Sequence, residues 1–152
     1  MYFIMGRIYN ILFNSSRGDG TIESKTYFMD WGMMPPGEYK GSFSFISASG
    51  TTTVACCNIF MDLGQELSYS AMSPTGAQLS SGYCYIGSAA VTGIGANKNL
   101  YATAQDNPPF SVLGRPTQNQ VTIRILQNDA NQSNYPTDLI YSLTLSLELV
   151  DK

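Results

Sequence analysis

Asp30 and Trp31 stand side by side, a carboxylate next to an aromatic platform, and sugar sites combine these two groups. The same step at a strand end is also the pattern of a core plug beside a turn carboxylate, which is the commoner use. Arg17-Gly18-Asp19 has the composition of an integrin attachment signal and falls on a polar turn. The stretch Ser15-Ser16-Arg17-Gly18-Asp19-Gly20 is equally what a long hairpin turn needs on conformational grounds. Gly93-Ile94-Gly95-Ala96 is followed by Asn97-Lys98-Asn99, which does not open an apolar helix, so it is not a phosphate-binding loop.

Beyond these, the chain is poor in reactive groups. It contains no histidine, which removes the commonest general base and the commonest metal ligand together. Its three cysteines, Cys56, Cys57 and Cys84, lack C-x-x-C spacing and cannot form a four-cysteine zinc site. A cysteine nucleophile would lack its usual imidazole partner. We therefore expect no catalytic residue, no metal and no cofactor. Cys56 and Cys57 alternate across a strand and read as small apolar filler, which implies a reducing compartment during folding; the alternative is a labile disulfide involving Cys84.

Charge patterning points away from chemistry and toward contact. Only 12% of the residues are charged, about half the usual share of a free soluble domain. Between Lys40 and Lys98 there is no basic residue, and the only acids are Asp62 and Glu66. Such a surface stays wet through its Ser, Thr, Asn and Gln, but it lacks the charge that keeps monomers apart. The eight Lys and Arg residues are scattered singly and the net charge is -3, so no basic patch exists to neutralise a row of phosphates. Direct nucleic-acid binding is not expected. Met1 to Phe13 is apolar but broken by Gly6 and Arg7, with no basic segment before it, and does not look like a signal peptide. No apolar run reaches the roughly 18 residues of a membrane helix.

The elements that must position all of this are strands. Leu143, Leu145, Leu147 and Leu149 alternate with Thr144, Ser146 and Glu148, the pattern of a half-buried strand. Tyr39, Gly41, Phe43 and Phe45 alternate with Lys40, Ser42 and Ser44, and Val121, Ile123 and Ile125 with Thr122 and Arg124. The periodicity predicts about eight strands near 8–14, 23–31, 38–48, 53–61, 82–91, 98–104, 119–127 and 138–150, with a short one at 110–113. Gly and Pro clusters at 17–20, 35–37, 49–50 and 106–109 separate them. No long stretch has a 3.6-residue amphipathic stripe, though Met61 to Tyr69 is compatible with about one helical turn. We expect one domain over residues 1–152, all-β, an antiparallel β-sandwich of jelly-roll type.

The least regular stretch, Leu63 to Ser81, reads as an extended connection long enough to reach a neighbour, which makes Ser68 and Ser80 candidate interface positions. Tyr83 and Tyr85 share a face around Cys84 and add aromatic area of the kind enriched in interfaces.

Tyr27 to Trp31, Gly37-Glu38-Tyr39-Lys40, Asp106-Asn107-Pro108-Pro109, Arg115-Pro116-Thr117-Gln118-Asn119 and Ile140-Tyr141-Ser142-Leu143-Thr144-Leu145, in this order and at these spacings, resemble the small β-rich minor capsid proteins of large icosahedral double-stranded DNA viruses, the chlorovirus group in particular. Thr51 to Asn97 carries none of the resemblance. It implies a structural subunit of the virion, assembled in the host cytoplasm, that cements capsomers of a double-jelly-roll major capsid protein. Its partners would be that protein and other minor capsid proteins. No catalytic or binding residue comes with it. Other readings of such a chain are a pentameric vertex protein, or a receptor- or carbohydrate-binding module using Trp31 or the Arg17-Gly18-Asp19 turn.

Overall fold

The computed structural model describes residues 7–20, 24–48, 56–63, 84–92, 99–127 and 140–150. They form ten strands: β1 (Ile8–Asn14), β2 (Asp19–Gly20), β3 (Ser24–Phe28), β4 (Tyr39–Ala48), β5 (Cys56–Asp62), β6 (Cys84–Thr92), β7 (Asn99–Ala102), β8 (Phe110–Val112), β9 (Gln120–Gln127) and β10 (Ile140–Leu149). All pairings are antiparallel, in the order β1-β10-β4-β7-β6-β5-β9-β3-β2, with β8 also on β4. The sheet curls into a half-barrel.

The count of about eight strands is corrected to ten. β8 is the short strand expected at 110–113, and the addition is the two-residue β2, too short for alternation to reveal. The strand expected at 23–31 stops at Phe28, because Trp31–Met33 turns into a 3-10 helix capped by Asp30. Met61 and Asp62 continue β5 rather than starting a helical turn.

Alternation sets the core. Leu143, Leu145 and Leu147 of β10, Tyr39, Phe43 and Phe45 of β4, and Val121, Ile123 and Ile125 of β9 are buried in one cluster, against which Leu149 packs half-buried. Curling brings β3 against β10 although five strands separate them along the sheet. The Tyr27 and Tyr141 hydroxyls meet at 2.9 Å, and the Phe13 ring stands edge-on to Tyr27 at 5.1 Å. Ser15 Oγ accepts the Tyr141 N–H at 3.0 Å, tying the end of β1 to the start of β10. Two glycines permit the tight packing: a Cβ on Gly41 would overlap the Phe110 ring, and one on Gly87 would overlap Phe43. Gly87 lies opposite Ile59, where the β5–β6 register shifts by a bulge.

The buried tyrosine pair gives the fold an alkaline limit. Burial pushes the Tyr141 phenol well above its ordinary 10.0, helped by the adjacent Tyr27, and burial raises Tyr27 too. Unfolded, both phenols would release protons near pH 10; folded, they keep them. The native state therefore binds more protons in that range, and stability present below about pH 10 is lost as pH rises further. Urea denaturation at about pH 8 and about pH 11 should show a clear fall at the higher pH, reduced in Tyr141→Phe. Equal stability at both values would contradict this packing.

Candidate functional site

The sheet has two outer faces, each carrying one basic and one acidic side chain among the described residues of its strands. On the face of β3, β9, β5 and β6, Arg124 and Asp62 lie among Thr26, Thr122 and Asn58. Phe60 is fully buried there but is not part of the central core; its ring meets Tyr85 edge-on at 5.8 Å. The Tyr85 hydroxyl lies 2.6 Å from Ser88 Oγ, which donates to Asn58 Oδ1 at 2.7 Å. Asn107 clamps the Ser88 main chain, accepting its N–H and donating to its C=O, each at 2.9 Å.

The face of β1, β10, β4 and β7 carries its two charges at one end and is neutral over the rest. Its outward residues are Ile8, Asn10, Leu12 and Asn14 on β1; Ile140, Ser142, Thr144, Ser146 and Glu148 on β10; Lys40, Ser42, Ser44 and Ile46 on β4; and Tyr101 on β7. Lys40 and Glu148, its only charged members among the described residues, are opposite one another at one end. At the other end Ile46, 57% exposed, lies directly across from Tyr101, 45% exposed, and Ile140 is diagonal to it. A shallow groove of about 290 Å³, lined by Ile46 and Tyr101, runs over Ser44, Ser142 and Thr144. A second, of about 650 Å³, lies between Ile8, Asn10, Ser42 and Ser146 and the turn at 104–109. That turn is held by the Thr103 main chain, whose N–H donates to the Asp106 carboxylate and keeps its pKa below the ordinary 3.8.

This face offers area for contact. Side-chain hydroxyls and amides offer neutral hydrogen bonds, the exposed Ile, Leu and Tyr side chains offer apolar area, and few charges need desolvating. Among the described residues no three His, Cys, Asp or Glu groups converge on a metal position, and no helix is long and apolar enough to cross a membrane. No protein-family model matches the chain, and no curated protein matches it significantly.

The residues singled out from sequence fall elsewhere. Trp31 is only 3% exposed and sits in the core cluster, and Asp30 accepts the Gly32 N–H at 2.9 Å as a helix cap. This is the core plug beside a turn carboxylate, the commoner of the two readings, and the alternative of an exposed aromatic platform at Trp31 is overturned. Arg17 and Asp19 are exposed, but they do not form a free loop: Arg17 ends a 3-10 helix and Asp19 pairs with Thr26. A Cβ on Gly18 would stand 2.8 Å from the Tyr27 ring, so that glycine is fixed by packing. Tyr85 is half-buried with its hydroxyl engaged. Cys57 is fully buried in the core cluster. Ser68, Ser80, Tyr83 and residues 93–96 lie outside the described residues, as do the side chains of Cys56 and Cys84.

Sequence reasoning passed over Ile46, Tyr101, Ile140, Leu12 and Ile8. Their signal was present as breaks in phase: Ile46 follows Ser42 and Ser44 on a polar phase, and β1 is apolar on both phases.

Proposed function

We propose that the chain is a structural minor capsid protein, a jelly-roll subunit that bridges capsomers of a double-jelly-roll lattice through the neutral face of β1, β10, β4 and β7. The jelly-roll part is supported by nesting of the pairs. β1 pairs with β10, β3 with β9, β4 with β7 and β5 with β6, as in one long hairpin rolled upon itself. On this reading β1-β10-β4-β7 and β3-β9-β5-β6 are its two four-stranded halves, with β2 and β8 as short additions.

The observation that carries the function is a broad sheet face, neutral apart from Lys40 and Glu148 at one end, that leaves Ile8, Leu12, Ile46, Tyr101 and Ile140 exposed. A permanently assembled subunit has use for such a face and needs no active site. The sequence resemblance to minor capsid proteins supplies the partner. The burial of Trp31 removes the feature that would favour a sugar-binding module.

Quantitative mass spectrometry of purified virions is the direct test. The chain should be present in a fixed ratio to the major capsid protein, and its absence would end this reading. Contacts of this kind gain little from Coulomb attraction. Washing particles at about 1 M salt, where screening acts within about 3 Å, should leave the chain bound, whereas a protein held by phosphate contacts would be stripped.

A further inference from the structure

β1 is one end of the sheet, paired with β10 on one side and with no described strand on the other. The ladder register decides which main-chain groups face that open side. The Leu149 N–H donates to the Arg7 C=O at 3.0 Å, one step before the Ile8–Glu148 pair. In an antiparallel ladder hydrogen-bonded pairs alternate. Tyr9, Ile11 and Phe13 therefore bond β10, while the N–H and C=O groups of Ile8, Asn10, Leu12 and Asn14 point to the open edge.

Soluble proteins blunt such edges with Lys, Pro, a bulge or a very short strand. β1 has none of these: it runs seven residues, Ile-Tyr-Asn-Ile-Leu-Phe-Asn, uncharged and in unbroken register. Leu12 is 63% and Ile8 59% exposed, and the inward Tyr9 and Ile11 are only half-buried because the sheet ends beside them.

We propose that this edge is the seam of a homodimer, in which β1 pairs antiparallel with β1 of a second copy about a twofold axis at Ile11. Several features favour a second copy over an unrelated strand. With Ile11 central, Ile8 faces Asn14, Asn10 faces Leu12 and Tyr9 faces Phe13, so the residues whose main-chain groups are open are those that fall in hydrogen-bonded pairs. On the inner face each Tyr9 meets the aromatic ring of Phe13 from the second copy, a favourable cross-strand pair. No charge on β1 meets its own copy across the axis. The inference does not rest on the capsid reading and holds for the purified chain alone.

Light scattering on the full chain at about 100 μM should give twice the 16.6 kDa chain mass. Amide exchange by NMR should show Ile8, Asn10 and Leu12 protected as well as Tyr9, Ile11 and Phe13. Leu12→Pro removes an edge N–H without touching the β10 ladder, and Pro is tolerated at that side of an edge strand; the variant should be monomeric. Asn10→Lys, an exposed substitution that keeps the strand intact, sets like charges close together near the axis and should weaken association by about tenfold or more. A monomeric wild-type chain would overturn the proposal. So would a dimer whose Ile8, Asn10 and Leu12 amides exchange freely, or dimers unchanged in both variants.

Discussion

Leu145→Ala is expected to lower the unfolding free energy by about 2–5 kcal/mol, a large part of the roughly 5–15 kcal/mol available to a domain of this kind. Leu145 is fully buried in the middle of β10, between Ile11 of β1 and Phe43 of β4. Both neighbouring strands are held in register on either side, so the site has little room to collapse around the lost methyl groups. The adjacent residue provides the contrast. Ser146 faces outward and donates to Asn10 Oδ1 at 2.6 Å in an exposed position, so Ser146→Ala should cost no more than about 0.5–1.5 kcal/mol. Urea denaturation of the two variants checks the direction in which β10 faces; similar losses would mean that the alternation does not separate core from surface.

That alternation is why most of the fold could be read in advance. Where one face is buried and the other wet, a strand writes its orientation as a period of two, as in β4, β9 and β10. The unread parts break that code. Phe60 shares the outward phase of β5 with Asn58 and Asp62, yet it is fully buried off the central core, and a period of two gives no sign that an outward position is covered. Trp31 follows a strand and could as well have been exposed; its place in the core depends on the 3-10 turn that Asp30 caps. The candidate face was legible only in part, because Ile46 and Tyr101 become neighbours through the pairing of β4 with β7, a contact between segments more than fifty residues apart. Charge depletion was visible in the sequence, but its span between Lys40 and Lys98 supplies β4 to this face and β5 and β6 to the other.

The largest functional effect should come from placing a charge on that face. Ile46 and Tyr101 stand on the outer side of their strands, exposed in the free chain, so Ile46→Lys or Tyr101→Lys singly should change the melting behaviour little, within about 0.5 kcal/mol. On the proposed capsid reading, the same ammonium group would be taken out of water without a partner in an assembled particle. Breaking a buried charge pair, which likewise leaves one charge uncompensated, costs about 3–5 kcal/mol, equivalent to roughly hundred- to several-thousand-fold in affinity. Incorporation into particles should therefore collapse while the isolated domain stays folded. Phe28→Lys is the control, because Phe28 is even more exposed but lies on β3, off this face, and it should be incorporated normally. If Ile46→Lys and Tyr101→Lys both assemble at wild-type ratio, the face is not the contact; if Phe28→Lys fails alongside them, the defect is general and the contact cannot be assigned to β1, β10, β4 and β7.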